Sequence, residues 1–426
     1  MIPRLREHDL QSWPPRLVWI LALAAALSCG VTSAAITLDA GFDQGSLDVD
    51  HSSVAGDVVT LVGRDNFNPG RWKWLYFAAS GVADRQLTFR IEDDFIFGGD
   101  GLVKHQMVYS YDRRNWKFFD DNTWVPKQGL FTFSNRHPFT QDRVYVAYGL
   151  PYPYSRIAGR MKRLAASSWI RPTATGGASF VIGQSPGGVD DLGRAIAPRN
   201  IYAFRVSDFG STAVKKKVVL VGGVHANETL GNYALEGLVD YLVGGMPEAA
   251  TLRERAEFFV YPMVNPDGRF AGYNRSTVEQ VSLDPNRHWA PPRYGGLDDL
   301  RIVAEAMISD AAKIDYLIDF QSDTVGKSGH YAYVLPKWQS HPWWVNLRRL
   351  EPTVRAIDAR LANDTTAKFG RDELEAQFSI TFETQFIAGE NVDRFHQLGR
   401  NWGRAMFNTI TVSGDADRHR PRSRRE

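Results

Sequence analysis

One stretch constrains this chain more than any other: Lys217 to Gly244, which reads KVVLVGGVHANETLGNYALEGLVDYLVG. Val218 to Val224 is an apolar, β-branched run of the kind that a parallel strand buried on both faces requires. It breaks at Gly222-Gly223 and is followed by His225. Glu228 comes three residues later and opens a pattern in which Leu230, Ala234, Leu235, Leu238, Tyr241 and Leu242 recur at helical spacing, ended by Gly244-Gly245. A buried strand that turns directly into a helix belongs to an open α/β sheet, and such sheets put their sites at the carboxyl edge of the strands. His225 and Glu228 lie at that turn. Imidazole nitrogen and carboxylate oxygen both suit zinc, and i, i+3 spacing lets them aim at one point. Alone, the pair also matches a solvated helix start, so the residues downstream have to decide.

Further strands are expected at 218–224, 258–264, 314–320, 331–335 and 378–382, with another over Ile201 to Val206. Helices are expected at 229–243, 296–311, 345–363 and 390–408. This alternation predicts an α/β domain over residues 153–412: a mixed, mostly parallel sheet with helices on both faces. Residues 36–152 read differently. Trp72 to Phe77, Leu87 to Ile91 and Met107 to Tyr111 are short alternating stretches separated by Asn68-Pro69-Gly70, Gly98 to Gly101 and Asp112 to Asn115. They predict an antiparallel β-sandwich whose aromatics form its core and its packing against the next domain; the competing reading is a carbohydrate platform.

The termini carry separate signals. Arg4, Arg6 and Arg16 precede the apolar run Leu17 to Gly30, and Ser33-Ala34-Ala35 offers small residues for cleavage, so residues 1–35 predict an export signal. The run is short for a membrane span, and no stable span is expected after cleavage. Ala26-Leu27-Ser28-Cys29 departs from a lipoprotein signal, whose first position is usually Leu, so a secreted or periplasmic product is expected rather than one lipidated at Cys29. Cys29 is the only cysteine, and the mature chain therefore has neither a disulfide nor a catalytic thiol. Formal net charge is +2, which gives no footprint for nucleic acid as a partner. Residues 413–426 hold five arginines and are expected to be a disordered tail.

Four more segments point to the edge that His225 occupies. The strand 258–264 runs into the turn Asn265-Pro266-Asp267-Gly268, and Arg275 and Asp284-Pro285-Asn286-Arg287 come after it. Gln321 leaves the strand that ends at Phe320, and Glu383 leaves the last strand. The ordered set HxxE, NPDG, DxNR and a strand-end Glu resembles the zinc carboxypeptidase family, in the cytosolic-carboxypeptidase-like layout where a β-sandwich precedes the catalytic domain. That resemblance implies a zinc ion held by His225, Glu228 and a third strand-end ligand. It implies Arg275 as the group that polarises the scissile carbonyl, Asn286 and Arg287 as the clamp on a substrate carboxylate, and Glu383 as general base. The implied substrates are peptide or protein C-termini. His288 and His330 are expected to be structural.

Two positions depart from the family pattern. The third zinc ligand there is histidine, and this chain has Gln321, a neutral and poorer zinc donor. No tyrosine occurs between Leu335 and Phe382, where the family carries a mobile one. Three readings are open: an exported metallocarboxypeptidase that uses Gln321 as a weak ligand or recruits His330, a pseudopeptidase that binds peptide C-termini, and a metal-dependent amidase acting on cell-wall peptides.

Overall fold

The structure, a computed structural model, describes residues 34–64, 74–91, 105–125, 128–323, 329–359, 364–387 and 389–418, with side chains described as far as Ile410. The export signal up to Ser33, Trp72, the first two turn signals of the sandwich and residues 419–426 lie outside the described residues.

The described residues between 36 and 147 form two five-stranded sheets. One runs Thr37–Asp39, Tyr76–Ser80, Arg143–Ala147, Val108–Ser110, Lys117–Phe118; the other runs Ser53–Ala55, Val58–Leu61, Thr88–Ile91, Leu130–Ser134, Asp121–Val125. All pairings are antiparallel except Val58–Leu61 with Thr88–Ile91, which is parallel. Phe77, Phe89, Phe119, Phe131, Phe133 and Phe139 fill the space between the sheets, with Phe89 stacked on Phe133 at 5.1 Å. The outer face of the first sheet sends Trp74, Tyr76 and Val108 into the core of the domain that follows. These aromatics serve burial, where they contribute most.

The second domain is built on an eight-stranded sheet: β1 Ile170–Pro172, β2 Phe204–Val206, β3 Lys216–Gly222, β4 Ala256–Tyr261, β5 Tyr316–Asp323, β6 Tyr331–Val334, β7 Arg355–Asp358 and β8 Phe378–Gln385. Their order is β1-β2-β4-β3-β5-β8-β6-β7. The four central strands β4, β3, β5 and β8 are parallel, and antiparallel pairs flank them. The helices are α1 Tyr154–Leu164, α2 Leu230–Val243, α3 Pro247–Arg255, α4 Pro266–Ala271, α5 Asp298–Ala311, α6 Pro342–Leu350, α7 Thr366–Asp372 and α8 Val392–Arg418. Alternation along the strands divides two cores. Val218, Leu220, Ile318, Phe320, Ile380 and Phe382 face α2 and α8, whereas Val219, Val221 and Leu317 face α5 and α7. Both faces are covered, which is why β3 reads as an unbroken apolar run.

Several expected boundaries move. The helix expected at 345–363 stops at Leu350, because Pro352 disfavours helix at Glu351, and Arg355–Asp358 instead pairs in parallel with β6. Ile201 to Val206 is split between two sheets. Asn265 to Gly268 does more than turn: Asn265 Oδ1 accepts from Gly268 N at 2.9 Å and Pro266 occupies the first helical position, so the segment opens α4. The last helix continues to Arg418, past Ser413, the expected start of the tail.

Candidate metal and peptide site

β3 ends at Gly222, and Gly223 takes φ +66°, a conformation that costs glycine little and other residues much. The chain thereby turns away from the sheet and brings His225 and Glu228 back over the carboxyl ends of the strands. Gly231, one residue into α2, lies where a Cβ would come within 2.7 Å of the carbonyl oxygens of Phe320 and Gln321. A glycine there lets α2 close on β5. Arg269 holds the turn from beneath. It is fully buried, and its NH2 donates to the carbonyls of His225 (3.2 Å) and Glu228 (2.9 Å) and to Asn232 Oδ1 (2.9 Å), while NH1 donates to the Tyr152 carbonyl (3.1 Å).

His225 lies between two carboxylates. Its Nδ1 is 2.7 Å from Glu228 Oε1 and its Nε2 is 2.8 Å from Asp284 Oδ1. Arg275 joins the same two acids, with NH1 donating to Glu228 Oε1 at 3.1 Å and Nε to Asp284 Oδ2 at 3.0 Å. The Ser322 backbone N–H donates to Glu228 Oε2 at 3.1 Å, tying the loop to β5. Burial and the Arg275 charge oppose protonation of His225, but the carboxylates of Glu228 and Asp284 outweigh them and raise its pKa. Burial raises the Glu228 carboxyl, and His225, Arg275 and the Ser322 N–H overcome that and lower it. Asp284 is likewise held below the usual carboxylate range, against burial, by His225 and Arg275. Sequence reasoning gives Asp284 no role, although it opens the DxNR box. A histidine whose first nitrogen faces a ligand needs a partner that fixes the second, and a nearby acid in a motif is the signal for one.

Glu383 lies two residues before the last residue of β8, in register with Gln321 on β5 and on the same sheet face. Burial, reinforced by the charges of Glu228, Asp323 and Asp319, pushes its carboxyl well up, while Arg275 opposes the shift. Asn286 Oδ1 accepts from the backbone N–H and the hydroxyl of Thr366, at 2.9 and 3.0 Å, which leaves its amide nitrogen as the end available to an acceptor. Arg287 is exposed, with NH1 donating to the Asn286 carbonyl at 2.8 Å. Two tyrosines flank Glu383 from β6: Tyr331 pairs with Glu383 and Tyr333 with Thr381, and burial, with the Glu383 charge second, raises both phenols. They lie just before the window between Leu335 and Phe382 that holds no tyrosine.

Strand alternation excludes His330 from the site. It precedes Tyr331, so its ring goes to the opposite face, where it packs against Phe382 and Phe395 and its Nδ1 accepts from Gln385 N at 3.0 Å. Among the described residues, no group of three His, Cys, Asp or Glu side chains is placed to hold a metal ion. By donor chemistry alone, His225, Glu228 and Gln321 would offer a divalent cation one imidazole nitrogen, one carboxylate and one amide oxygen, a weaker zinc set than two imidazoles and a carboxylate.

Residues 188–300 match the family described as Zinc carboxypeptidase, and residues 38–148 match the Cytosolic carboxypeptidase N-terminal domain. Human cytosolic carboxypeptidase 6 is 33% identical over 312 residues, which is 69% of this chain and 58% of that protein. A metallo-carboxypeptidase from Burkholderia cenocepacia has a similar fold, with a TM-score of 0.74 at 22% identity, covering 90% of this chain and 100% of its own. A metallo-carboxypeptidase from Pseudomonas aeruginosa, solved in complex with (2-guanidinoethylmercapto)succinic acid, is similar at a TM-score of 0.66 and 19% identity, covering 89% of this chain and 99% of its own. With both domains matched in chain order, the chain belongs to the zinc carboxypeptidase family, in the layout that sets a cytosolic-carboxypeptidase-type domain ahead of the catalytic one.

Proposed function

We propose that the protein is an exported metallocarboxypeptidase that hydrolyses C-terminal residues from peptides, with a loosely held zinc ion at His225, Glu228 and Gln321. The observation that carries this is the position of Glu383: a buried carboxyl, pushed up in pKa, in register with the proposed third ligand and beside Arg275. A group that only bound peptide ends would have no use for a base there. When bound, the metal supplies a Lewis acid and a more acidic water.

The chain's own groups have separable tasks. Glu383 takes a proton from water and returns it to the leaving amine. Arg275 offers guanidinium N–H groups to the carbonyl oxygen as charge develops on it. Asn286, its oxygen occupied by Thr366, offers its amide nitrogen to the substrate carboxylate, and Arg287 adds a planar, charged partner. Asp284 holds His225 Nε2 and so leaves Nδ1 for the metal. Arg4, Arg6, Arg16 and the run Leu17 to Gly30 support export.

The test is release of the C-terminal amino acid from an unblocked peptide by purified mature protein. Slow release that rises with added zinc and stops with chelator is expected; release indifferent to chelator would contradict the proposal. A second reading, capture of peptide C-termini without cleavage, rests on Gln321 itself, and predicts binding with no release at any zinc concentration.

A further inference from the structure

An amide has two different ends, and only its oxygen can serve a cation. Asp319 and Gln321 are two residues apart on β5 and share a face. Gln321 Nε2 donates to Asp319 Oδ2 at 2.5 Å, and Thr381 Oγ1, from β8, donates to that same oxygen at 3.3 Å. Asp319 is fully buried, and its other oxygen, Oδ1, has no hydrogen-bond partner. With its nitrogen on Asp319 Oδ2, the Gln321 amide turns its carbonyl oxygen away from that carboxyl.

We infer that Asp319 is a positioning residue that fixes Gln321 as an oxygen ligand, so that the site takes its divalent cation through one nitrogen and two oxygens and shifts in preference from zinc toward a harder ion of the Mn²⁺ type. This rests on the reading of Gln321 as the third ligand. The chemical reason is ligand softness: imidazole suits zinc, whereas carboxylate and carbonyl oxygen suit Mg²⁺, Ca²⁺ and Mn²⁺. Each replacement of nitrogen by oxygen narrows zinc's advantage without reversing the general affinity order. Asparagine at 319 would remove the instruction, because it can present either end of its own amide and so accepts either orientation of Gln321.

The experiment is calorimetric titration of the metal-free mature protein with ZnCl₂ and, separately, MnCl₂, for the parent, Asp319→Asn and Gln321→His. The Mn²⁺-to-Zn²⁺ affinity ratio should be about tenfold or more higher in the parent than in Gln321→His. Asp319→Asn, near-isosteric and checked for folding by its melting curve, should lose about 10–100-fold in affinity for both ions, the usual cost of removing a ligand's supporting partner. Equal affinities in Asp319→Asn and the parent would overturn the positioning role while leaving Gln321 a ligand. An unchanged metal ratio in Gln321→His would overturn the shift in preference, and this comparison holds even if Asp319→Asn fails to fold. A parent that binds neither ion, beside a Gln321→His variant that binds zinc, would show instead that Gln321 is no ligand, and both readings would fall together.

Discussion

Gln321 and Glu383 stand directly opposite one another on the parallel strands β5 and β8. The proposed third ligand and the proposed base therefore share one register. Because side chains alternate, a slip of one residue between these strands would carry one of the two to the face occupied by Phe320 and Phe382. The apolar layer against α8, where Phe382 packs edge-on to Trp402 at 5.1 Å, thus fixes the chemistry on the opposite face.

Glu383→Gln keeps the shape and deletes the base. Hydrolysis should fall by about 10²–10⁴-fold, the usual worth of a positioned acid–base group, with metal affinity held. Steady-state kinetics with parallel metal titration checks this. Equal loss of metal would make Glu383 a ligand.

Arg287→Ala should weaken a peptide with a free C-terminus by about 1.5–3 kcal/mol, the range for a hydrogen bond to a charged group. A C-terminally amidated peptide, already a poor ligand, should change little. Equal loss for both peptides would remove Arg287 from the carboxylate clamp.

The local pattern makes the strands legible but not their ends. The apolar runs Ile314 to Phe320 and Phe378 to Phe382 mark the buried parts, whereas β5 spans Tyr316–Asp323 and β8 continues to Gln385. Glu351-Pro352 also carries the signal that ends α6, but the apolar spacing of 345–363 masks it. Non-local pairing is what the chain does not disclose. Tyr331 and Tyr333 reach Glu383 only through antiparallel pairing of β6 with β8, and Asp284 reaches His225 across 59 residues of sequence. Nothing in the sequence singles out Arg269, which is buried in α4.

Arg269→Met tests the support beneath the HxxE turn. It removes the donor for three backbone carbonyls and Asn232 Oδ1, and each buried acceptor left unpaired costs about 1–3 kcal/mol. Destabilisation of at least about 3 kcal/mol in urea unfolding is expected, with weaker metal binding. A change below about 1 kcal/mol would mean that water replaces the guanidinium without loss.

Acid should destabilise the protein well above the carboxylate range. Burial drives the His105 pKa down to about 3, against the hydrogen bond to the Tyr148 carbonyl, and burial aided by the Arg394 charge drives His330 down to about 4. The unfolded chain takes these protons near pH 6.5, so the stability from both is complete above that pH and is lost as pH falls toward 4 and then 3. Each depressed histidine steepens the loss by up to about 1.4 kcal/mol per pH unit. His105→Gln should flatten the slope of unfolding free energy between pH 6.5 and 5. An unchanged slope would mean that His105 is reached by protons in the folded state.

Gln321→His places an imidazole at a strand end whose register with Glu383 is already set, and it tests most directly whether this is the ligand position. Zinc affinity of the metal-free protein is the measurement, with release of C-terminal residues tracked on the same samples. If Gln321 occupies the third ligand position, the substitution should raise zinc affinity by more than tenfold, beyond the lower bound seen for supporting partners alone, and hydrolysis should rise with it. No gain in zinc affinity would place residue 321 away from the metal and contradict the site as drawn.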